Sequence, residues 1–553
     1  MPQEQPIDVE GAERLKTQGN ELYGKKDYSS AHLKYTEAIK KDPKNPILYA
    51  NRAAALLALK KYSDAAWDCT KAVELDPTYV KAWGRLGTAA HALSAWEKSL
   101  WAWQKALDCL PKDNLSPEQR NMKTRFEEGL NKAKVAKNKI ETNATPIYAD
   151  QWLSGKMPWQ RAAALKSKKM AARAPSCTFV VDYAYEDFKE GMDAIAETKV
   201  ISTQPGVELL CSKPKVIQCL TNAILTDARV FHMTSPDFSD KMRRQCLFED
   251  QYLRGWATTG GPAIVKQEAP ERLRSEGWDK LRQSLSVTVR IWIFNAFFWS
   301  QMLGHHNFAR EMYTNTLEVL AWGRRQWPNV RREDRGSIFD NRFIRGVKKF
   351  QLEAMHASVF RGEGIYTFQD LINFAEDIIA SVNSEMPPPQ DFHHGHFLAY
   401  WMYPKGTALS VIGWCHLGKA IKSSKNDAEK NLNFERAAKY YLDAAQAFPE
   451  DEEQHSRFLQ KHLECLCFLK KPLRETLPLC QRIRKALDQA LDIWFTPPYG
   501  DVLKVTLDQV KAFESKYNQQ IADGKCTLNS IGELPEIKRP PTPPSVDIEF
   551  RDA

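Results

Sequence analysis

The stretch LKTQGNELYGKKDYSSAHLKYTEAIKKDP (residues 15–43) returns, changed but recognisable, as ILYANRAAALLALKKYSDAAWDCTKAVELDP (47–77) and VKAWGRLGTAAHALSAWEKSLWAWQKALDCLP (80–111). The repeat length is 34 residues. It carries Pro43 to Pro77 and Pro111, Ala38 to Ala72 and Ala106, Gly19 to Ala53 and Gly87, and Ala31 to Ala65 and Ser99. Each unit reads as a helix pair. One small residue in the first helix and two in the second mark places where backbones approach closely. The proline sits just past the second helix, which it cannot continue. Units of this kind bury their apolar faces only by stacking on their neighbours, so a solenoid is expected.

A 34-residue period with small residues at these offsets is the signature of the tetratricopeptide repeat, TPR. The repeats begin near residues 12, 46 and 80. After Pro111, SPEQRNMKTRFEEGLNKAKVAKNKIE reads as one more helix, with Ser116 as N-cap and Pro117 at its first position. A polar terminal helix of this sort caps a solenoid. In a TPR array the first helix of each pair lines a concave groove. The groove positions hold Lys16 and Asn20 in repeat one, Asn51 in repeat two, and Lys81 and Arg85 in repeat three. Lys16 and Asn20 are one helical turn apart, as are Lys81 and Arg85. Asn51 and Arg85 lie one period apart. All five are hydrogen-bond donors and three are cations, a set suited to a ligand with several carboxylates. A chain end in Asp, with two carboxylates on one residue, is such a ligand.

The motifs KTQGN, YANRAA and VKAWGR resemble those of the two-carboxylate clamp TPR domains of co-chaperones, namely Hop-type organising proteins, the TPR phosphatase and the TPR immunophilins. The resemblance implies that Lys16, Asn20, Asn51, Lys81 and Arg85 hold the C-terminal EEVD of the 70-kDa and 90-kDa heat-shock chaperones. It covers roughly residues 10–140, and the remainder resembles no family.

The 553 residues, 43% hydrophobic and 27% charged, have an ordinary globular composition. The net charge of +9 is modest, and no cluster of basic and aromatic residues suggests nucleic-acid binding. Eleven scattered cysteines with no CxxC pair suggest reduced, buried thiols. The N-terminus MPQEQPIDVEGAERLK is polar, so neither signal nor transit peptide is expected, and a cytoplasmic protein is. The apolar run VTVRIWIFNAFFWSQML (287–303) contains Arg290 and reads as a buried helix, with no membrane span expected.

The expected fold is mostly α: a three-repeat TPR solenoid with capping helix at 10–140, a basic linker with a short helix at 141–176, a mainly helical domain at 177–390, a helical TPR-like region at 391–525 and a proline-rich disordered tail at 526–553. Minor β is expected at CTFVVDYA (177–184) and GVELLCS (206–212), with a helix between them in YEDFKEGMDAIAETK. Ala437, Tyr441, Ala444 and Pro449 echo a TPR second helix, with LSVIGWCHLGKAI as its partner. NFAREMYTNTLEVLAW (307–322) is a weaker echo. HSRFLQKHLECLCFLK and RETLPLCQRIRKALDQALDIW follow as a further pair.

No HExxH, GxSxG, P-loop, GxGxxG or HPD motif occurs, so no enzyme and no cofactor are expected. His393, His394 and His396 form the one histidine cluster. Without Cys or acidic residues at zinc spacing they read as a solvated loop, not a metal site. Trp83, Trp96, Trp101 and Trp103 read as packing residues. Thr542 precedes Pro543, as in some kinase sites. The leading functional reading is a chaperone-binding adaptor with an unidentified client or second protein on its C-terminal region. A TPR scaffold for an unrelated assembly, or a chaperone-recruited enzyme with its site in 150–530, remain the alternatives.

Overall fold

Small side chains set against large ones determine how the repeat helices pair. The computed structural model describes residues 7–533 except 94, 144–155, 173–174, 205–206, 236, 259, 304–305, 386–393, 424–426 and 496–498. The repeats are α1 (Val9–Gly24), α2 (Tyr28–Lys41), α3 (Pro46–Ala58), α4 (Tyr62–Leu75), α5 (Val80–Ala92) and α6 (Trp96–Asp108), followed by α7 (Pro117–Asn143). Asp8, Asp27 and Asn45 cap the first three by accepting from Gly11, Ser30 and Ile47 amides at 2.8, 3.1 and 3.1 Å. Ser116 and Gln119 form the expected cap of α7, each side chain accepting the other's backbone N–H, at 3.2 and 2.9 Å.

Tyr35 lies against Gly19 so closely that a Cβ there would be 2.5 Å from its ring. Trp103 is wedged between Gly87 and Gly129, where added Cβ atoms would meet it at 2.5 and 2.6 Å. Tyr35, Cys69 and Trp103 are themselves 34 residues apart, opposite Gly19, Ala53 and Gly87. The middle repeat thus sets a smaller residue against an alanine. Through Gly129, Trp103 also holds the capping helix against repeat three.

The later elements are α8 (Pro158–Ala172), α9 (Thr178–Ala196), β1 (Lys199–Gln204), β2 (Val207–Cys211), α10 (Val216–Asp227), α11 (Phe238–Tyr252), α12 (Pro262–Leu303), α13 (His306–Gln326), α14 (Arg332–Arg335), α15 (Asn341–Phe360), α16 (Phe368–Asn383), α17 (His394–Phe397), α18 (Tyr403–Lys422), α19 (Asp427–Gln446), α20 (Glu453–Phe468), α21 (Leu473–Trp494) and α22 (Tyr499–Ala522). By internal contacts the chain forms two units. Met1–Thr145 goes with Leu253–Gln326, and Pro146–Tyr252 with Trp327–Ala553. This division cuts the block 177–390 read in the sequence, because α12 and α13 pack with the repeats. Residues 287–303 lie in helix α12, as expected, and 287–298 are buried except for the half-buried Asn295, Arg290 included.

In the first unit, carboxylates from one element cap helices of another. Glu311 on α13 accepts from the Ser63 amide (2.7 Å) and hydroxyl (3.0 Å) at the start of α4, which has no side-chain cap of its own. Asp64 on α4 in turn accepts from the Ala263 amide (3.0 Å) at the start of α12. Gly261 lets that loop close in, since a Cβ there would be 2.5 Å from Asp64. Glu318 lies between Lys266 (2.5 Å) and Lys61 (3.6 Å). Burial pushes Glu311 up to about 7 and Asp64 up to about 6, although the hydrogen bonds they accept pull the other way.

In the second unit, 177–184 opens helix α9 and is not a strand, a correction to the sequence reading. Segment 207–211 is a strand, paired antiparallel with β1. The short helix expected in 141–176 is α8, but it is packed, not a linker. Lys169 pairs with Asp451 at 2.7 Å, and Asp451 also accepts from the Ser176 hydroxyl (2.6 Å) and the Cys177 amide (2.9 Å). Arg229 is bound by Asp227, Glu452 and Glu453 at 2.6–2.9 Å and lies 3.9 Å from the Trp494 ring centroid. From α18 to α22 each helix packs on the next. A Cβ added at Gly413 would lie 3.3 Å from the Tyr441 ring, and Ala437 and Ala444 are fully buried, so the TPR-like echo corresponds to a closely packed pair. Residues 528 and 530 accept hydrogen bonds from the start of α21, so the tail begins later than residue 526. Thr542 and the proline-rich end lie outside the described residues.

The seam carboxyls keep protons in the folded chain that the unfolded chain releases near their ordinary values of 3.8 and 4.5. Their contribution to stability therefore declines as pH rises from there through about 6 and 7. Glu311→Gln keeps an acceptor for Ser63 and removes the titration. Wild-type stability relative to this variant should fall between pH 5 and pH 8, read as urea midpoints across that range. Parallel profiles would contradict the assignment.

Candidate functional site

Helices α1, α3 and α5 lie side by side and carry the five sequence-predicted groove residues. Asn20 and Asn51 meet, with Asn51 Nδ2 donating to Asn20 Oδ1 at 3.3 Å. The Tyr35 hydroxyl donates to the same oxygen at 2.8 Å, so Asn20 is held from the α2 side. Both bonds use Oδ1, which leaves the Asn20 amide hydrogens to a ligand. Arg85 reaches back one repeat and donates to the Ala50 carbonyl at 2.6 Å. Lys16 lies one turn from Glu13, at 2.7 Å, and Lys81 pairs with Glu118 of α7 at 3.1 Å.

The residue after Asn51 shows how the helix divides its work. Arg52 turns inward and makes two bonds to Asp68, at 2.8 and 2.7 Å, and one to the Thr36 hydroxyl at 3.2 Å. It is buried with its partner, so its charge is spent on tying α3 to α2 and α4. Asn51 remains on the accessible side. Helices α1, α3 and α5 thus carry two lysines, one arginine and two amides, with three positive charges among the five.

The model of the tetratricopeptide repeat family matches residues 34–66. The N-terminal repeats are a TPR domain. Its sequence is similar to that of TPR co-chaperones. It is 51% identical over 53 residues to stress-induced-phosphoprotein 1 of Caenorhabditis elegans, covering 10% of this chain and 17% of that protein. It is 61% identical over 49 residues to small glutamine-rich tetratricopeptide repeat-containing protein 2 of Saccharomyces cerevisiae, covering 9% of this chain and 14% of the other. The chain thus spans less than a fifth of the length of these relatives. Among solved structures, the first TPR of Spaghetti (RPAP3) bound to the HSP90 peptide SRMEEVD is 34% identical, covering 23% of this chain and 97% of that one, with a TM-score of 0.20.

Two groove participants were not read from the sequence. Tyr35, which anchors Asn20, is visible only as the first member of the series Tyr35, Cys69, Trp103. Glu118 lies on the capping helix of the TPR domain, and nothing in its local sequence indicates that it reaches Lys81. Of the four tryptophans, Trp83, Trp96 and Trp103 are buried, but Trp101 is 49% exposed and packs T-shaped against Trp83, ring centroids 4.7 Å apart. The histidine cluster also differs from expectation. His393 lies outside the described residues, His394 is exposed, and His396 is buried beside Tyr400 and contacts Arg342 at 3.1 Å, in helix, not a solvated loop. Among the described residues no group of three His, Cys, Asp or Glu is placed to hold a metal, and no helix is long and apolar enough to cross a membrane. Ten cysteines are described, seven of them buried and none in a disulfide.

Asn20 has a structural duty as well as a groove position. Asn20→Ala leaves the Tyr35 hydroxyl without its acceptor, and should cost about 1–2 kcal/mol of stability. In a Tyr35→Phe background the same change should cost almost nothing. Denaturant titration of the four proteins checks this, and equal losses in both backgrounds would contradict the anchoring role.

Proposed function

We propose that this chain is a chaperone-binding adaptor, whose TPR groove captures the acidic C-terminal tail, EEVD, of a 70-kDa or 90-kDa heat-shock chaperone. The observation that supports the reading is that Lys16, Asn20, Asn51, Lys81 and Arg85 lie on adjacent first helices, with Asn20 and Asn51 in contact. A terminal Asp brings two carboxylates within one residue, and a wall of cations and amides can engage both at once. Charge-assisted bonds of this type are short and roughly twice as strong as neutral ones. The Arg85 guanidinium adds a forked donor.

In this reading the protein acts in the cytoplasm, where such tails are presented, and its C-terminal helical region holds a client or a second factor. No catalytic step belongs to it. Affinity on the order of micromolar, about −8 kcal/mol, is expected for a short peptide.

Lys81 holds only an exposed ion pair and Arg85 a single bond to the Ala50 carbonyl, so their loss should be felt far more by ligand than by fold. Lys81→Ala or Arg85→Ala in the full chain should weaken binding of the peptide SRMEEVD by about 1.5–3 kcal/mol each, the range for hydrogen bonds to charged groups. Thermal midpoints should stay near wild type. Calorimetry showing undiminished affinity in both variants would move the ligand elsewhere and favour a scaffold role.

A further inference from the structure

We infer that Glu118 on the capping helix is a built-in competitor for the ligand carboxylate at Lys81, an autoinhibitory contact that lowers the groove's affinity and speeds ligand release. The inference rests on the clamp reading above. Glu118 Oε1 lies 3.1 Å from Lys81 Nζ. The two side chains belong to different elements, α7 and α5, so the pairing is not a by-product of one helix's own spacing. Glu118 follows Pro117, whose ring fixes the backbone, and it lies inside the reciprocal cap of Ser116 and Gln119. Its backbone is therefore held in place while the carboxylate can swing.

Exposure decides what such a pair can do. Lys81 is 51% and Glu118 72% exposed, so water and salt screen the bond and it breaks readily. It occupies Lys81 without locking it. The other two cations differ. Arg85 rests on a neutral carbonyl, and Lys16 pairs with Glu13 along its own helix. Glu118 alone among these acceptors puts a full negative charge from another helix at the groove. An incoming carboxylate must replace it, and once the ligand is bound Glu118 stands ready to return.

The test is a four-protein cycle in the full chain: wild type, Glu118→Gln, Lys81→Ala and the double variant, each titrated with labelled SRMEEVD at low and moderate salt. Glu118→Gln should tighten binding about two- to fivefold, the scale of an exposed ion pair, and slow dissociation to match. Its salt dependence should steepen, since an internal ion pair no longer offsets the one formed with the ligand. In the Lys81→Ala background the same change should leave Kd unaltered. Unchanged or weaker binding by Glu118→Gln overturns the inference and leaves the clamp standing. Equal tightening with and without Lys81 also overturns it, since that is the mark of diffuse charge repulsion. Failure of all four proteins to bind sinks the clamp reading and this inference together.

Discussion

The whole groove depends on the close approach of α1 to α2 and of α5 to α6. Gly19 admits the ring of Tyr35, and Gly87 with Gly129 admits that of Trp103. Interiors pack at crystalline density, so a single added methyl at such a contact must displace a ring that has nowhere to go. That tightness sets the angle of each helix pair, and repetition at 34 residues stacks the pairs so that α1, α3 and α5 lie side by side. Only then do residues from three repeats come together. Tyr35 links the two levels directly, with its ring in the core and its hydroxyl on Asn20.

Charge is handled in two ways within the same domain. Arg52 and Asp68 are buried as a satisfied pair. Such a pair adds little net stability, but losing one partner costs several kcal/mol, roughly 3–5. Lys81 instead holds an exposed contact, with Glu118, while Lys16 and Arg85 are partly buried against Glu13 and the Ala50 carbonyl. The seam with α12 and α13 is a third arrangement. There Glu311 and Asp64 offset desolvation by accepting from amides at the starts of α4 and α12.

What was legible in the sequence follows from what repeats. The period and the small residues could be read because each recurs at a fixed offset, and the repeat frame then put Lys16, Asn20, Asn51, Lys81 and Arg85 on first helices. The cap of α7 was legible because Ser116, Pro117 and Gln119 are local signals. CTFVVDYA misled because its apolar and β-branched residues suit a strand as well as a buried helix start. The pattern that decides it, Val181, Ala184, Phe188, Gly191 and Ile195, runs on at helical spacing beyond residue 184. Contacts such as Glu118 with Lys81 and Glu311 with Ser63 join residues 37 and 248 apart without any repeat to announce them. The packing of α12 and α13 with the repeats was hidden for the same reason.

The central claim is that the five donors hold the two carboxylates of a terminal aspartate. It is tested most directly by isothermal titration of the full chain with SRMEEVD as the free acid and as its C-terminal amide. The amide has lost one of the two carboxylates and keeps every other group. Capture by the clamp requires the free acid to bind at least tenfold more tightly, a difference of about 1.4 kcal/mol. Equal affinity for the two peptides would contradict it.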